Sequence, residues 1–341
     1  MNYDNSIKIH NLFNAKGDDV IQYPLICKLN NKDTALVNMV KWYPIDTGLF
    51  ATHHTNGHIK LWDTNLTQCV RLYELNCQAN WLEWSTPYTS LNLLAVAFKG
   101  SNAGKVSFID PLQRSIVHQI TDKHDNLGVS MCKWNPYKSH ELITTGLNGN
   151  VILWDMRNTN APLELLQTGK MKAVSFEKPF ICSLSVIPFH RGILTFGCSS
   201  LEGNNDWTLN YYSLGDEKTR LSIKICSQNS LFLTNQTLPQ DTSNKDPIEL
   251  CTTWSTLDYK SLICYLSLMN LVYIVEIPLE SLKSGKLKDS HKNVQSKIRH
   301  FSKICSLSWN EEMKELYSFG RDTNQIRGYR WSNEKKYFSK I

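Results

Sequence analysis

"NGNVILWDMRN", residues 148–158, has a near copy at residues 56–65, "NGHIKLWDTN". Both read polar-Gly-polar, then alternating apolar residues, then Trp-Asp and a polar exit. Ile59 and Leu61, like Val151 and Leu153, share one phase of an alternating strand, so the pleat sends each pair to one face. Asn56-Gly57 and Asn148-Gly149 are hairpin-turn dipeptides, because Asn and Gly accept positive φ at low cost. Trp62 and Trp154 lie 92 residues apart, two periods of 46 if a degenerate copy stands between. "GKVSFIDPL", residues 104–112, supplies it, with Phe108 near the Trp phase and Asp110 closing the strand.

A second series runs upstream of the first. "VKWYP" (40–44), "LEWST" (82–86), "CKWNP" (132–136), "LSVIP" (184–188), "TTWST" (252–256) and "LSWNE" (307–311) each end an alternating strand. Their equivalent residues are Trp42, Trp84, Trp134, Val186, Trp254 and Trp309, at gaps of 42, 50, 52, 68 and 55. Each is followed, after a polar turn, by a small or apolar strand such as "LFATHH", "LITTGL" or "LYSFGR". Four strands per unit, a period above 40 residues and Trp-Asp endings resemble the blades of WD40 β-propellers. A lone blade cannot bury its faces, so neighbours stack around an axis. The expected fold is an all-β WD40 propeller, seven-bladed in the parent family, as one domain over 1–341. Six blades are recognisable, at about 37–75, 78–120, 124–168, 170–215, 228–280 and 295–335. The copy at 190–215 lacks Trp-Asp; the last has His300 at its start, Ser318 mid-strand and Asp322 in its turn. The five repeated Trp residues are expected to be buried between blades.

The opening, "YDNSIKIHNL" (3–12), matches only the turn-and-strand part of the repeat, with Asp4, Ile7, Ile9 and His10 in the places of Asn56, Ile59, Leu61 and Trp62. It reads as a partial first blade, residues 1–14, whose residues 4–12 should pair with a neighbouring segment. Without inner strands such a blade exposes edge and core. Either the ring closes differently or a further N-terminal segment belongs to it.

Composition fits a large core: 41% of the 341 residues are hydrophobic and 20% charged. No basic-then-apolar leader opens the sequence and no run of 18 apolar residues occurs, so no membrane association is expected. Ten scattered Cys residues, without a Cys-x-x-Cys pair, point to reduced thiols; Cys182, Cys264 and Cys305 sit in apolar strands. A net charge of +6 permits an acidic partner without demanding one. Gly-x-Ser-x-Gly, Gly-rich phosphate loops and His-Glu-x-x-His are absent, so no enzyme and no cofactor are expected. His53 and His54 point to opposite faces of a strand, and His58 lies beyond a turn, which argues against a metal.

Residues 14–36 read as a polar connector and 215–249 as a long inter-blade link. The stretch 279–303 carries Lys283, Lys286, Lys288, Lys292, Lys297, Arg299 and Lys303, either a docking loop for an acidic partner or a solvated loop. It lacks the interleaved aromatics of a single-strand platform, and direct nucleic-acid binding is not expected.

Arg157, two places after Asp155, falls on the propeller rim, where its planar fork suits a partner's carboxylate, a solvated position or a local pair with Asp155. Trp154-Asp155-Met156-Arg157 resembles the Trp-Asp-x-Arg box of substrate receptors that dock on the adaptor of cullin-4 ubiquitin ligases. "VKWYPIDTGLFATHHTNGHIKLWDTN" (40–65), "CKWNPYKSHELITTGLNGNVILWDMRN" (132–158) and "KELYSFGRDTNQI" (314–326) are similar to blades of the Cockayne syndrome A family. The resemblance implies a diverged fungal member, a nuclear, non-catalytic receptor in transcription-coupled nucleotide excision repair. Its implied partners are the ligase adaptor, docked at Trp154, Asp155 and Arg157, and repair or RNA polymerase II-associated factors. Asn65 replaces Arg in the earlier copy, so the box is not doubled; because the sequence opens inside a blade, the N-terminal helical anchor that the resemblance implies is expected to be either missing or outside this sequence. The competing expectation is a general scaffold of a nuclear RNA-processing or chromatin complex.

Overall fold

Alternation in the sequence becomes strands of four to ten residues. The computed structural model describes residues 6–11, 24–31, 34–75, 77–86, 91–98, 105–113, 115–121, 124, 128–146, 149–167, 183–187, 191–201, 204–215, 219–227, 252–256, 261–268, 270–286, 294–300, 304–320, 325–332 and 337–340. A half-blade of two antiparallel strands, β1 (Ser6–His10) and β2 (Leu25–Asn30), opens it. Blade 1 follows with β3 (Val37–Trp42), β4 (Leu49–His54), β5 (His58–Asp63) and β6 (Gln68–Glu74). Blade 2 has β7 (Ala79–Trp84), β8 (Leu94–Phe98), β9 (Val106–Asp110) and β10 (Ser115–Ile120). Blade 3 has β11 (Val129–Trp134), β12 (Glu141–Gly146), β13 (Val151–Asp155) and β14 (Glu164–Gln167). Blade 4 has β15 (Ser183–Ile187), β16 (Gly192–Leu201), β17 (Asn204–Ser213) and β18 (Arg220–Ser227). Blade 5 has β19 (Thr252–Ser255), β20 (Ser261–Leu268), β21 (Leu271–Pro278) and β22 (Val294–Arg299), with a short helix α1 (Leu279–Ser284) before the last strand. Blade 6 has β23 (Ile304–Asn310), β24 (Glu315–Gly320), β25 (Gln325–Ser332) and β26 (Tyr337–Lys340). Strand order within every blade follows the chain, the meander of a β-propeller. The chain falls into two compact units, residues 1–143 with 154–161, and residues 144–153 with 162–341.

Within the first unit, blade 1 presents Ala51, Ile59, Leu61 and Tyr73 to Leu82, Trp84, Leu94, Val96 and Phe98 of blade 2. The half-blade lays Leu29, with Ile7, Ile9 and Cys27, on Phe50 and Trp62 of blade 1. Within the second unit, Leu194, Phe196, Leu209 and Ile223 of blade 4 pack with Leu262, Cys264, Leu266 and Val275 of blade 5. Ile263, Tyr265, Val272 and Ile274 pack in turn with Ile304, Leu316 and Tyr329 of blade 6. Each such side chain contributes about 1.5–3 kcal/mol by leaving water, so the inter-blade layers carry the stability. Asn56-Gly57 makes the expected turn: Gly57 has φ +84°, and a Cβ there would meet the Cys77 carbonyl oxygen at 2.8 Å.

Several expectations need correction. Trp84 and Trp134 are buried (6% and 3% exposed), but Trp42 is 47% exposed and Trp254 and Trp309 are half-buried. The first two lie under the first strand of the preceding blade. Trp42 ends the first strand of blade 1, and among the described residues the half-blade before it packs on Phe50 and Trp62 instead. The connector 14–36 contains β2, whose Leu29 is fully buried. The link 215–249 begins with β18, the outer strand of blade 4; Leu221, Ile223 and Ile225 alternate inward there without a Trp-Asp marker. Blade 5 accordingly extends to Arg299, and blade 6 starts at Ile304 and reaches Lys340. Cys182, Asp4, Asn148 and Asp322 lie outside the described residues. Among the described residues no helix is long and apolar enough to cross a membrane.

Candidate functional site

β13 carries Val151 to Leu153 through the blade and ends at Asp155, so the chain turns at the blade margin. Trp154 is 1% exposed and belongs to the core, which corrects its expected place on a docking surface. Asp155 Oδ1 accepts the Arg157 backbone N–H at 2.9 Å, and the Asp155 carbonyl accepts the Asn158 N–H at 3.0 Å. The Met156 N–H donates to the His140 carbonyl at 2.7 Å, fixing the turn against the β11–β12 connection. Thr159 Oγ1 lies 2.7 Å from His118 Nε2 on β10, tying the segment to blade 2.

The same aspartate turn recurs. Asp63 Oδ1 accepts the N–H groups of Asn65 and Leu66 at 2.8 and 3.0 Å. Asp110 Oδ1 accepts those of Leu112 and Gln113 at 2.8 and 3.2 Å. Strand-end aspartate is therefore architecture, an Asx turn that satisfies backbone donors.

Arg157 is the addition. Its Nε donates to Asp155 Oδ1 and Oδ2 at 2.9 and 3.2 Å, and its Nη2 donates to Oδ2 at 2.6 Å. The local pair thus forms, yet the arginine side chain stays 70% exposed. Nη1 has no hydrogen-bond partner among the described residues. Hydrogen bonds from Arg157 hold the Asp155 carboxyl down at about 2 and raise the guanidinium's own pKa. The result is a planar, permanently charged group braced edge-on at the rim. A second carboxylate can reach its remaining edge without reordering the side chain.

The basic stretch 279–303 does not form one loop. Lys283 ends α1 and Lys286 follows it, both exposed, while Lys297 and Arg299 belong to β22. Lys288, Lys292 and Lys303 lie outside the described residues.

A charged cluster that sequence reasoning missed joins the first strands of blades 1, 2 and 3. Glu83 on β7 accepts from Lys133 Nζ of β11 at 2.7 Å and lies 3.2 Å from Lys41 Nζ of β3. Trp81 Nε1 donates to the same carboxylate at 2.9 Å, and Lys41 Nζ sits 4.0 Å above the Trp81 ring. Burial opposes the Glu83 charge, but Lys133 and Lys41 outweigh it and hold its pKa low. Burial lowers the pKa of Lys41, partly offset by Glu83. A signal was available: Lys41, Glu83 and Lys133 each stand one place before a repeated Trp, with alternating sign.

The three histidines go to separate tasks. His54 Nε2 meets Thr52 Oγ1 at 2.8 Å, and that hydroxyl also accepts the Trp62 indole N–H at 2.8 Å. His53 Nε2 accepts the Ala79 N–H of blade 2 at 3.1 Å. Burial pushes its pKa down to about 4, helped by neighbouring His54. His58 meets the Asn56 side chain at 3.0 Å. In blade 6, His300 Nε2 and Ser318 Oγ lie 2.6 Å apart, linking the blade's start to its second strand. No group of three His, Cys, Asp or Glu residues fit to hold a metal occurs among the described residues.

No family model matches the chain. It is 31% identical over 116 residues to the WD repeat-containing protein ATCSA-1 of Arabidopsis thaliana, a match spanning 34% of this chain and 25% of that one. Radiation-sensitive protein 28 of Saccharomyces cerevisiae is 26% identical over 144 residues, 39% of this chain and 26% of the relative. Histone-binding protein MSI1 of the same yeast is 27% identical over 169 residues, 46% and 38% of the two chains. The matches thus cover about a quarter of the first two relatives' length and under two fifths of the third's. A chain in the crystal structure of the mitotic checkpoint complex superposes with a TM-score of 0.58 at 13% identity, over 89% of this chain and 76% of that one. A chain of Kuenenia stuttgartiensis hydrazine synthase gives 0.62 at 12% identity, over 91% and 87%. At such identities the likeness concerns fold alone. Repeat pattern, strand order and these superpositions agree on an all-β propeller fold of four-stranded antiparallel blades, and the relatives that the chain resembles over part of their length include a WD repeat-containing protein.

Proposed function

We propose that the chain is a non-catalytic interaction propeller, a nuclear substrate receptor of a cullin-4-type ubiquitin ligase acting in transcription-coupled nucleotide excision repair. The observation that carries the reading is Arg157, exposed and braced by Asp155 where the equivalent turn of blade 1 has Asn65. It occupies the Arg place of the receptor box, in a chain whose residues 40–65, 132–158 and 314–326 resemble the Cockayne syndrome A family. Relatives named ATCSA-1 and radiation-sensitive protein 28 are in keeping with a repair role. In this reading an adaptor carboxylate engages the free edge of the Arg157 guanidinium, and the targets are repair or RNA polymerase II-associated factors.

The match to a histone-binding protein favours one other reading, a chromatin scaffold without ligase. Reconstitution separates the two. Purified chain mixed with the cullin-4 adaptor should form a complex that Arg157→Ala weakens. A chain that ignores the adaptor and instead retains histones on a column would be a scaffold.

A further inference from the structure

The Lys41–Glu83–Lys133 cluster does not close on itself. β3, β7 and β11, which carry the three residues, are each an edge strand of their blade. The later blades hold Ser185, Thr253 and Ser308 at the equivalent place, so of the six blades only the first three put ionised groups there. Lys133 Nζ meets Glu83 Oε1 at 2.7 Å, and Lys41 Nζ meets Oε2 at 3.2 Å. The Trp81 indole N–H also donates to Oε2, at 2.9 Å, so the carboxylate is engaged on both oxygens.

The lysines are not engaged to the same extent. A structural ion pair needs one ammonium per carboxylate; here two share one, which leaves one positive charge over. Among the described residues neither lysine has a second anionic partner. Each ammonium carries three N–H groups and spends one on Glu83. The Trp81 ring, 4.0 Å from Lys41 Nζ and 5.3 Å from Lys133 Nζ, offers both of them a π-face and no acceptor atom. Burial lowers the Lys41 pKa, Glu83 raises it, and the like charge of Lys133 lowers it again. The side chains of Lys41 and Lys133 remain 24% and 22% exposed, so an anion in solution reaches them.

Charge selects the anion. One carboxylate cancels the surplus. A phosphomonoester, at about −1.5 to −2, overshoots it beside the fixed charge of Glu83, and like charges at such range repel. Lysine heads are compact point charges with rotatable donors, which suits a single carboxylate better than a planar fork would. The edge strands that carry them suit an extended peptide, which can add backbone hydrogen bonds to the charge contact.

We propose that Lys41 and Lys133 form a recognition site for one Asp or Glu side chain on an extended segment of a partner protein. The site is separate from Arg157 and does not rest on the ligase reading.

The test uses the full chain labelled with 5-fluorotryptophan, the Trp81 fluorine resonance being assigned through Trp81→Phe. The probes are the tripeptides Gly-Glu-Gly, Gly-Gln-Gly and Gly-phosphoserine-Gly, capped at both ends, and free propionate, all at matched ionic strength. Gly-Glu-Gly should shift the Trp81 signal saturably, with a Kd on the order of millimolar, and Gly-Gln-Gly should not. Propionate and the phosphopeptide should each bind about threefold more weakly or worse. Lys41→Met leaves Glu83 and Lys133 as a matched pair and so keeps the fold; it should weaken Gly-Glu-Gly binding about tenfold or more. Glu83→Gln raises the surplus to two charges and should tighten binding about threefold or more. A saturable shift that is absent, equal for Gly-Gln-Gly, or unchanged in Lys41→Met overturns the proposal, as does weaker binding in folded Glu83→Gln. A phosphopeptide that binds as tightly makes the site one for phosphate, and propionate that binds as tightly makes the ligand a free acid; either result also overturns it.

Discussion

The turn after Asp63 and the turn after Asp155 are built alike and differ in one addition. Both aspartates end the third strand of a blade, follow a buried Trp and accept backbone N–H groups of the next residues. Blade 1 then places Asn65 where blade 3 places Arg157. Whatever the two turns share serves the fold, and whatever sets them apart is available for recognition. Trp154 and Asp155 are thereby assigned to architecture, although the same four-residue box contains Arg157.

Substitutions that break the shared part should cost most. Trp62→Ala and Trp154→Ala each remove a fully buried indole and should lower unfolding free energy by about 3–5 kcal/mol. Urea denaturation measures both, and a marginal loss at Trp154 alone would mean that the two blades are not equivalent. Next in size is Glu83→Leu, which leaves Lys41 and Lys133 facing each other without their common anion. A loss of up to about 3 kcal/mol is expected, reduced from the fully buried case because the three side chains retain some solvent contact. Unchanged urea stability would show that the cluster is not holding blades 1 to 3 together.

Acidification should act through His53, whose folded pKa of about 4 lies below its ordinary 6.5. The unfolded chain binds more protons in that interval, so this contribution is complete above pH 6.5 and is lost as pH falls through about 4. Melting temperature should therefore decline from pH 6.5 to 4, less steeply in His53→Gln, which cannot take up that proton. Equal slopes for the two proteins would remove His53 from the explanation.

Much of the fold was legible because repeats mark the same place in each blade. The Trp42, Trp84 and Trp134 series located three first strands, and the two Trp-Asp turns located β5 and β13. Unmarked strands were less visible: Leu221, Ile223 and Ile225 alternate, but no Trp or turn dipeptide flags β18. The exposure of Trp42 was not legible from its motif, since burial depends on which strand precedes it in space. The Lys41–Glu83–Lys133 cluster required knowing that first strands of successive blades lie together. For the candidate site, the sequence placed Arg157 at a strand end and left a local pair with Asp155 among its alternatives; the structure shows that pair formed with the guanidinium still exposed.

The smallest effect on stability, and the most direct test of the proposed function, comes from Arg157→Ala. Affinity for the cullin-4 adaptor and melting temperature are measured on the wild type and the variant together. Adaptor binding should weaken by about one to two orders of magnitude if the contact is desolvated, with melting unchanged, because an exposed arginine adds little to the fold. Unchanged affinity with unchanged melting would contradict the docking role and leave Arg157 an ordinary surface residue, and a large drop in melting temperature would make it structural instead.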